Sequence, residues 1–161
     1  MIRTLTISLI ITALAHPVHA KDDAWKGLDK PHETFEAYVQ ALKKDDFDKA
    51  VAYIYLPDRS ESEDRVKQGL PKVAAKMKSE DWRVRIVKAA KNGGIAAIIY
   101  TTQPEKRDFE PVLMMQRDNR WYLHHYHSSG RLRNILDEVD LAQAKEMVAW
   151  GKRQMLELKN N

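Results

Sequence analysis

Apolar residues recur at helical spacing between residues 30 and 80. Asp29-Lys30-Pro31 is typical of a helix start with proline in the first turn, and apolar positions then recur every three or four residues. The pattern stops at Asp45-Asp46, resumes over 47–54, and returns between Val66 and Met77. A glycine and a proline inside the last of these segments favour a kink or a split. The pattern therefore predicts three consecutive helices.

From Trp82 the spacing of apolar residues changes from helical to alternating. Trp82 and the apolar residues two and four positions later fall on one face of an extended segment, with arginines between them. Asn92-Gly93-Gly94 and Asp118-Asn119 are turn sequences of the kind that close β-hairpins. The later apolar segments are Ile95–Thr102, Val112–Arg117 and Trp121–His127. Together these segments predict about four antiparallel strands.

A final apolar stripe between Leu136 and Leu158 predicts one long C-terminal helix, residues 134–161. The order of elements indicates an α+β domain in which three N-terminal helices pack on a curved antiparallel sheet of about four strands. Residues 95–102 are apolar on both faces, so both faces of the sheet must be shielded from water. Either the C-terminal helix folds back over its own sheet or a second copy of the chain covers it, and we expect a homodimer.

Residues 1–20 have the pattern of a secretory signal peptide. Arg3 precedes the apolar run Leu5–Leu14, and small residues lie just before Lys21. The run is about half of the roughly 20 residues that a membrane-spanning helix needs, so we expect no membrane anchor. The expected organisation is a signal peptide over 1–20, a flexible lead-in over 21–30, a domain over 31–133 and the C-terminal helix. The protein is expected to be exported, either to a periplasm or out of the cell, and to be soluble after signal-peptide removal.

Composition narrows the classes of function. The chain has no cysteine, which excludes disulfides, thiol chemistry and cysteine zinc sites. Its formal net charge is +4, of which Arg3 in the leader contributes one, and the basic residues are interspersed with acidic ones. This distribution is typical of an ordinary protein surface rather than of a nucleic-acid footprint. We therefore expect no nucleic-acid partner and no cofactor.

Three segments resemble one known superfamily. They are the opening Pro31–Tyr38 (PHETFEAY), the helix break Lys44–Ala50 (KDDFDKA) and the closing hairpin Arg117–Leu123 (RDNRWYL). Over residues 31–127 they make the chain similar to the nuclear transport factor two-like superfamily, with its cystatin-like α+β cone, and in particular to small exported bacterial members. The resemblance implies helices packed on a curved sheet around a cone-shaped pocket. That superfamily includes isomerases, dehydratases, cyclases and members without catalysis, so the resemblance does not assign an activity.

Candidate chemistry centres on the last predicted strand, Trp121–His127, which contains three histidines. Alternation places His125 and His127 on the face that carries Trp121, at the mouth of the expected cone, and His124 on the other face. Either His125 or His127 could act as a general base near neutral pH. Two histidines are too few protein ligands for a typical tight zinc site, so we expect no metal.

Tyrosines supply the other candidate ligand contacts. A buried tyrosine offers an apolar ring and a hydroxyl that can orient a ligand, whereas aromatic residues at helical spacing can also simply pack. The predicted ligand-binding residues are Tyr38, Tyr53, Tyr55, Trp121 and His125.

Three functions are compatible with the sequence. The leading hypothesis is an exported, non-catalytic binding or accessory protein whose apolar cone-shaped pocket takes a small apolar ligand, or which meets a protein partner. Enzymes of the resembled superfamily commonly project an acidic residue or an Asp–His pair into the cone, where this chain has apolar residues. One alternative is nevertheless a small-molecule isomerase, dehydratase or hydrolase with His125 or His127 as general base. The other alternative is a structural dimerisation domain.

Signal-peptide cleavage is directly testable in the native host. The mature protein should begin at Lys21 and remain in the soluble fraction, because the apolar run is too short to anchor it. N-terminal sequencing and intact-mass measurement check both statements. Finding uncleaved protein with residues 1–20 in the membrane fraction would contradict them.

Overall fold

Three helices come first along the chain, as the sequence predicted. In this computed structural model, which describes residues 26–56, 59–124 and 138–160, they are α1 (Pro31–Lys43), α2 (Phe47–Ala52) and α3 (Arg59–Ser79). Asp45, with a φ of 56°, breaks the helical path after α1. The Asp46 carboxylate then accepts a hydrogen bond of 3.1 Å from the Lys49 amide and caps α2. The acidic pair is therefore the physical cause of the break between the first two helices.

Two helices differ in detail from the expectation. The second helix ends at Ala52, and Ile54, which was expected to continue it, belongs to a short strand. The third is one unbroken helix with Pro71 inside it, although proline removes a backbone hydrogen bond and crowds the preceding turn. Leu70, which directly precedes Pro71, and Met77, which follows it, are buried in the same core. Their packing favours a single helix.

Five strands form one sheet in the order β1-β5-β4-β3-β2. Strands β2 to β5 pair antiparallel with their sequence neighbours, as predicted, and the additional strand β1 pairs in parallel with β5. Both predicted turns form, with left-handed φ values of 55° at Gly93, 48° at Asp118 and 60° at Asn119. The strands are β1 (Ile54–Tyr55), β2 (Arg85–Asn92), β3 (Ile95–Thr101), β4 (Phe109–Arg117) and β5 (Arg120–His124).

The chain just before α1 is fastened to β5. Leu28 forms an isolated antiparallel bridge with Trp121, whose amide donates a hydrogen bond of 2.9 Å to the Leu28 carbonyl. Gly27 approaches this strand so closely that a Cβ atom would lie 2.4 Å from the Trp121 carbonyl oxygen. Only glycine allows such an approach. Within the described part of the predicted lead-in, residues 26–30, Gly27 and Leu28 are therefore held against β5 through the backbone.

The sheet separates two apolar cores. The inner core lies between the sheet and helices α1 to α3, and the outer core lies between the opposite face and helix α4 (Glu138–Asn160). Alternate residues of β3 enter the two cores, as expected for a strand covered on both faces. Buried members of the inner core include Phe35, Leu42, Val51, Leu70, Ile98, Met114 and Leu123. Those of the outer core are Ile95, Ala97, Leu113, Met115, Ala144 and Met147.

Helix α4 folds back over its own sheet, which is one of the two covers expected for the outer face. Its apolar residues Ala144 and Met147 are buried against that face. Homodimerisation remains a prediction. Within the described ranges, neither α4 nor any other helix combines the length and the apolar composition needed to cross a membrane.

Polar contacts also join α4 to the β2–β3 hairpin. The Asn92 side-chain amide donates a hydrogen bond of 2.7 Å to Glu146, and the Gly94 amide donates one of 3.2 Å to the Gln143 side-chain oxygen. At the other end of the helix, the Lys88 ammonium lies 3.5 Å from a carboxylate oxygen of Glu157. The contacts follow one side of the helix from its first turns to its last.

The packing of α4 gives a stability prediction. Met147→Ala should lower the free energy of unfolding by about 2 kcal/mol or more, because it empties a buried position of the outer core. Leu156→Ala is the control on the same helix. Leu156 is 64% exposed, so its loss should cost less than about 0.5 kcal/mol. Urea denaturation measures both, and equal losses would show that α4 does not pack on the sheet in this way.

Candidate functional site

A cavity of about 230 Å³ opens between α1, α3 and the inner face of the sheet. We call it the cone cavity. Apolar and aromatic side chains make up most of its wall, and the polar groups in it belong to Tyr38, Tyr100, Glu110 and His124. The lining residues are Phe35, Tyr38, Val39, Leu42, Ile54, Val73, Met77, Trp82, Val84, Tyr100, Glu110, Val112, Leu123 and His124.

The helical spacing of α1 builds one wall of the cone cavity. Phe35, Tyr38, Val39 and Leu42 recur at positions i, i+3, i+4 and i+7, so all four lie on the face that meets the sheet. Helix α3 adds two residues four positions apart, which also share a face. Strands β3 to β5 supply the opposite wall.

Tyr100 and Glu110 form the polar pair of the cavity. They lie directly opposite each other in the β3–β4 ladder, and the Tyr100 hydroxyl donates a hydrogen bond of 2.9 Å to Glu110 Oε2. The Tyr100 ring also contacts Phe35, with ring centroids 4.8 Å apart and planes inclined at 47°. Burial, followed by the negative charge of Glu110, raises the pKa of Tyr100 far above its usual range. The hydroxyl is therefore held protonated, as a hydrogen-bond donor.

Tyr38 adds a second hydroxyl. Its burial raises its pKa to about 12, because the charged phenolate would lose its hydration. Tyr38 and Tyr100 also influence each other, since Tyr38 contributes to the raised pKa of Tyr100. Both side chains are consequently neutral at physiological pH and provide polar groups within a largely apolar wall.

Asp108 holds the connection between β3 and β4. Its carboxylate accepts hydrogen bonds from the hydroxyls of Thr101, at 2.6 Å, and Thr102, and from the Gln103 amide at 3.1 Å. Burial acts to raise the pKa of Asp108, but the hydrogen bonds outweigh it and hold that pKa below its usual range. The turn fixed in this way supports the register that places Tyr100 opposite Glu110.

The structure does not bring all the predicted ligand-binding residues together. Tyr38 lines the cone cavity. Tyr53 and Trp121 are 6% and 3% exposed and pack in the inner core, outside the described lining of the cavity. Tyr55 packs against the outer core, on the opposite face of the sheet. The side chains of these last three residues therefore contribute to the packing of the two cores.

The candidate general bases, His125 and His127, lie outside the described residues, as does the proposed ligand contact of His125. The preceding residue, His124, is buried at the end of β5 and borders the cone cavity. Its register pairs it with Leu113 and Tyr55, both of which contact the outer core, while Trp121 and Leu123 on the same strand belong to the inner core.

Sequence reasoning did not identify Trp82, Tyr100 and Glu110 as parts of one site. A signal for Trp82 was present, since it alternates with Val84 on the inner face. Tyr100 and Glu110 are ten residues apart, and their pairing depends on the register of the β3–β4 hairpin. That register follows from the loop between the strands, which carries no turn sequence as decisive as those of the other two hairpins.

A second cavity, of about 270 Å³, lies between α1 and β2. Half of its described lining is charged or amide-bearing, namely Glu36, Gln40, Lys43 and Arg85. Across the described residues, no cluster of three or more histidine, cysteine or acidic side chains could hold a metal ion. The cone cavity is thus the better candidate for an apolar ligand.

Comparison with known proteins informs the fold. The sequence matches no known family model and no curated protein. Among solved structures, the chain is similar to a protein from Campylobacter jejuni that carries the name NTF2-like transpeptidase, with a TM-score of 0.50 and 18% identity. The match covers 60% of this chain and 99% of that one. The chain therefore has a nuclear transport factor two-like fold, as its sequence resemblance implied, and at this identity the likeness extends to the fold alone.

The hydrogen bonds of Asp108 predict a pH-dependent contribution to stability. Asp108→Asn should lower the free energy of unfolding by about 1 kcal/mol near neutral pH, because a neutral amide accepts these bonds less well. The folded pKa lies below the unfolded value, so the stabilisation is complete above the unfolded pKa of about 3.9 and is lost as the pH falls through the folded value.

Urea denaturation of wild type and variant at about pH 7 and about pH 3 tests this prediction, and the difference between them should shrink at the lower pH. Asp118→Asn is the control, because that carboxylate is 88% exposed in the β4–β5 turn. A difference for Asp108→Asn that is the same at both pH values would contradict the prediction.

Proposed function

We propose that the protein is an exported, non-catalytic binding protein that holds a small, largely apolar ligand in the cone cavity. The observation that carries this proposal is the composition of the cavity wall. Ten of its fourteen lining residues are aliphatic side chains, methionine, phenylalanine or tryptophan. Burial of apolar ligand surface against such a wall is the dominant favourable term in small-molecule binding.

The volume of the cavity limits the ligand. At about 230 Å³ it exceeds the roughly 150 Å³ of an engineered apolar cavity that accepts benzene. It is below the roughly 300–1,000 Å³ of sites for drug-sized molecules. A ligand with one or two rings, or a short branched chain, matches this space.

The two tyrosine hydroxyls of the cavity suit recognition better than proton transfer. With a pKa of about 12, Tyr38 keeps its proton at physiological pH, and burial has the same effect on Tyr100. Such hydroxyls can orient a ligand by donating or accepting a hydrogen bond, but they supply no base. The name of the Campylobacter protein refers to a transpeptidase, and with 18% identity it lends this chain no activity.

Export is the part of the proposal that rests on the leader alone. Residues 1–20 combine a basic start, a short apolar run and a small-residue end. A binding protein delivered outside the cytoplasm would meet ligands from the surroundings of the cell.

Filling the cavity from its rim should abolish the binding of a small apolar probe. Val73 lines the cavity from α3 and is 37% exposed, so Val73→Trp introduces a ring with little disturbance of the buried core. Val87 is 36% exposed on β2 and lies outside the cavity wall, which makes Val87→Trp the matched control. Indole affinity, followed by amide chemical shifts in NMR titrations, should fall by about ten-fold or more in the first variant only, equivalent to about 1.4 kcal/mol.

The titration also locates the probe. Shifted amides should map to α1, α3 and the inner strands that supply the cavity wall. The proposal fails if indole leaves the wild-type spectrum unchanged, or if both tryptophan variants reduce its affinity equally.

A further inference from the structure

Four aromatic rings line the cone cavity. Phe35 and Tyr38 come from α1, Trp82 precedes β2, and Tyr100 lies on β3. Burial of apolar surface alone does not require aromatic residues, since aliphatic side chains provide it equally well. Aromatic faces differ because they carry partial negative charge and attract cations placed within about 6 Å of the ring centroid.

The formal charge of the described cavity wall is negative. Glu110 is the carboxylate among the described lining residues, and none of those residues is lysine or arginine. Asp108, which directly precedes β4, adds a second negative charge near Tyr100. After the effect of burial, both Glu110 and Asp108 raise the pKa of Tyr100, which shows that the hydroxyl lies in a negative potential. An anionic ligand would be repelled here, whereas a cation would be attracted.

Trp82 already attracts a cation from within the protein. The Lys76 ammonium lies 5.6 Å from the centroid of the Trp82 ring, while Lys76 itself is outside the cavity wall. The indole N–H of Trp82 donates a hydrogen bond of 2.8 Å to Glu80, which fixes the orientation of the ring. The Trp82 ring is therefore held by a hydrogen bond, and its contact with Lys76 shows that a cation can approach it within the range of cation–π attraction.

We propose that the ligand of the cone cavity is a small organic cation, a quaternary ammonium ion or a protonated amine, held by the aromatic rings and by the carboxylate of Glu110. The inference rests on the proposed binding function and specifies the class of its ligand. The apolar groups on the nitrogen contact the cavity wall, and the positive charge faces the rings and Glu110. The Tyr100 hydroxyl, which donates to Glu110, holds that carboxylate at the cavity.

The test compares choline with 3,3-dimethylbutan-1-ol, in which a carbon replaces the ammonium nitrogen. The two molecules have nearly the same shape, and the charge of choline does not depend on pH. Isothermal titration calorimetry in a low-salt buffer should show choline binding about ten-fold more tightly than the alcohol, because only choline gains cation–π and carboxylate attraction. Indole, the probe of the cavity itself, is titrated in parallel.

Glu110→Gln isolates the charge. The glutamine oxygen can still accept the hydrogen bond from Tyr100, so the variant removes a negative charge while leaving a similar shape. Choline affinity should fall several-fold, and by more than the affinities for the alcohol and for indole. The matched control is Glu146→Gln on α4, where the carboxylate likewise accepts one side-chain hydrogen bond, from Asn92, on the other side of the sheet.

Trp82→Leu isolates the aromatic contribution. It should reduce choline affinity more than the affinity for the alcohol, since leucine replaces the apolar surface but not the electron-rich face. Because Trp82 is only half-buried, the variant should fold, which circular dichroism confirms before titration.

The outcomes separate this inference from the proposed function. Preference for choline that is lost in Glu110→Gln and kept in Glu146→Gln supports the organic cation. Equal affinity for choline and the alcohol, or a preference for choline that Glu110→Gln leaves intact, overturns it while the cavity still binds indole. If indole itself fails to bind the wild-type protein, the proposed function is overturned.

Discussion

Burial of strand β3 on both faces is the constraint on which the rest of the structure depends. Residues 95 to 99 are each at most 3% exposed, and successive side chains of a strand point to opposite faces. Two separate apolar layers must therefore cover the sheet. Helices α1 to α3 supply one layer and α4 supplies the other, so both helical layers answer the need to shield this strand.

The cone cavity results from how the inner layer meets the sheet. Helices α1 and α3 supply one side of the wall and the sheet supplies the other, and the helices do not fill the space between them. The polar pair of Tyr100 and Glu110 sits at this space because β3 and β4 pair in one register. Asp108 supports that register from the adjoining turn, through its hydrogen bonds to Thr101, Thr102 and Gln103. The hydrogen bonds of Asp108 and the candidate binding pair of Tyr100 and Glu110 thus lie next to each other in the β3–β4 hairpin.

The sequence predicted most of the fold because the fold is encoded in short-range patterns. The acidic break after α1, the two tight turns and the two-sided strand β3 each follow from neighbouring residues. Strand β1 was missed because two residues are too few to show alternation. Of the predicted ligand-binding residues, Tyr38 lines the cone cavity. Tyr55 lies on β1 because the chain changes from helix to strand after Ala52, and Glu110 meets Tyr100 only through the register of β3 and β4.

The polar contacts between α4 and the β2–β3 hairpin determine where the helix lies along its own axis. Apolar packing between a helix and a sheet is non-directional, so on its own it tolerates sliding along the helix axis. The contacts of Gln143, Glu146 and Glu157 define the axial position of α4 on the sheet directly. The β2–β3 hairpin itself therefore holds α4 at one axial register, in addition to the apolar packing on the outer face of the sheet.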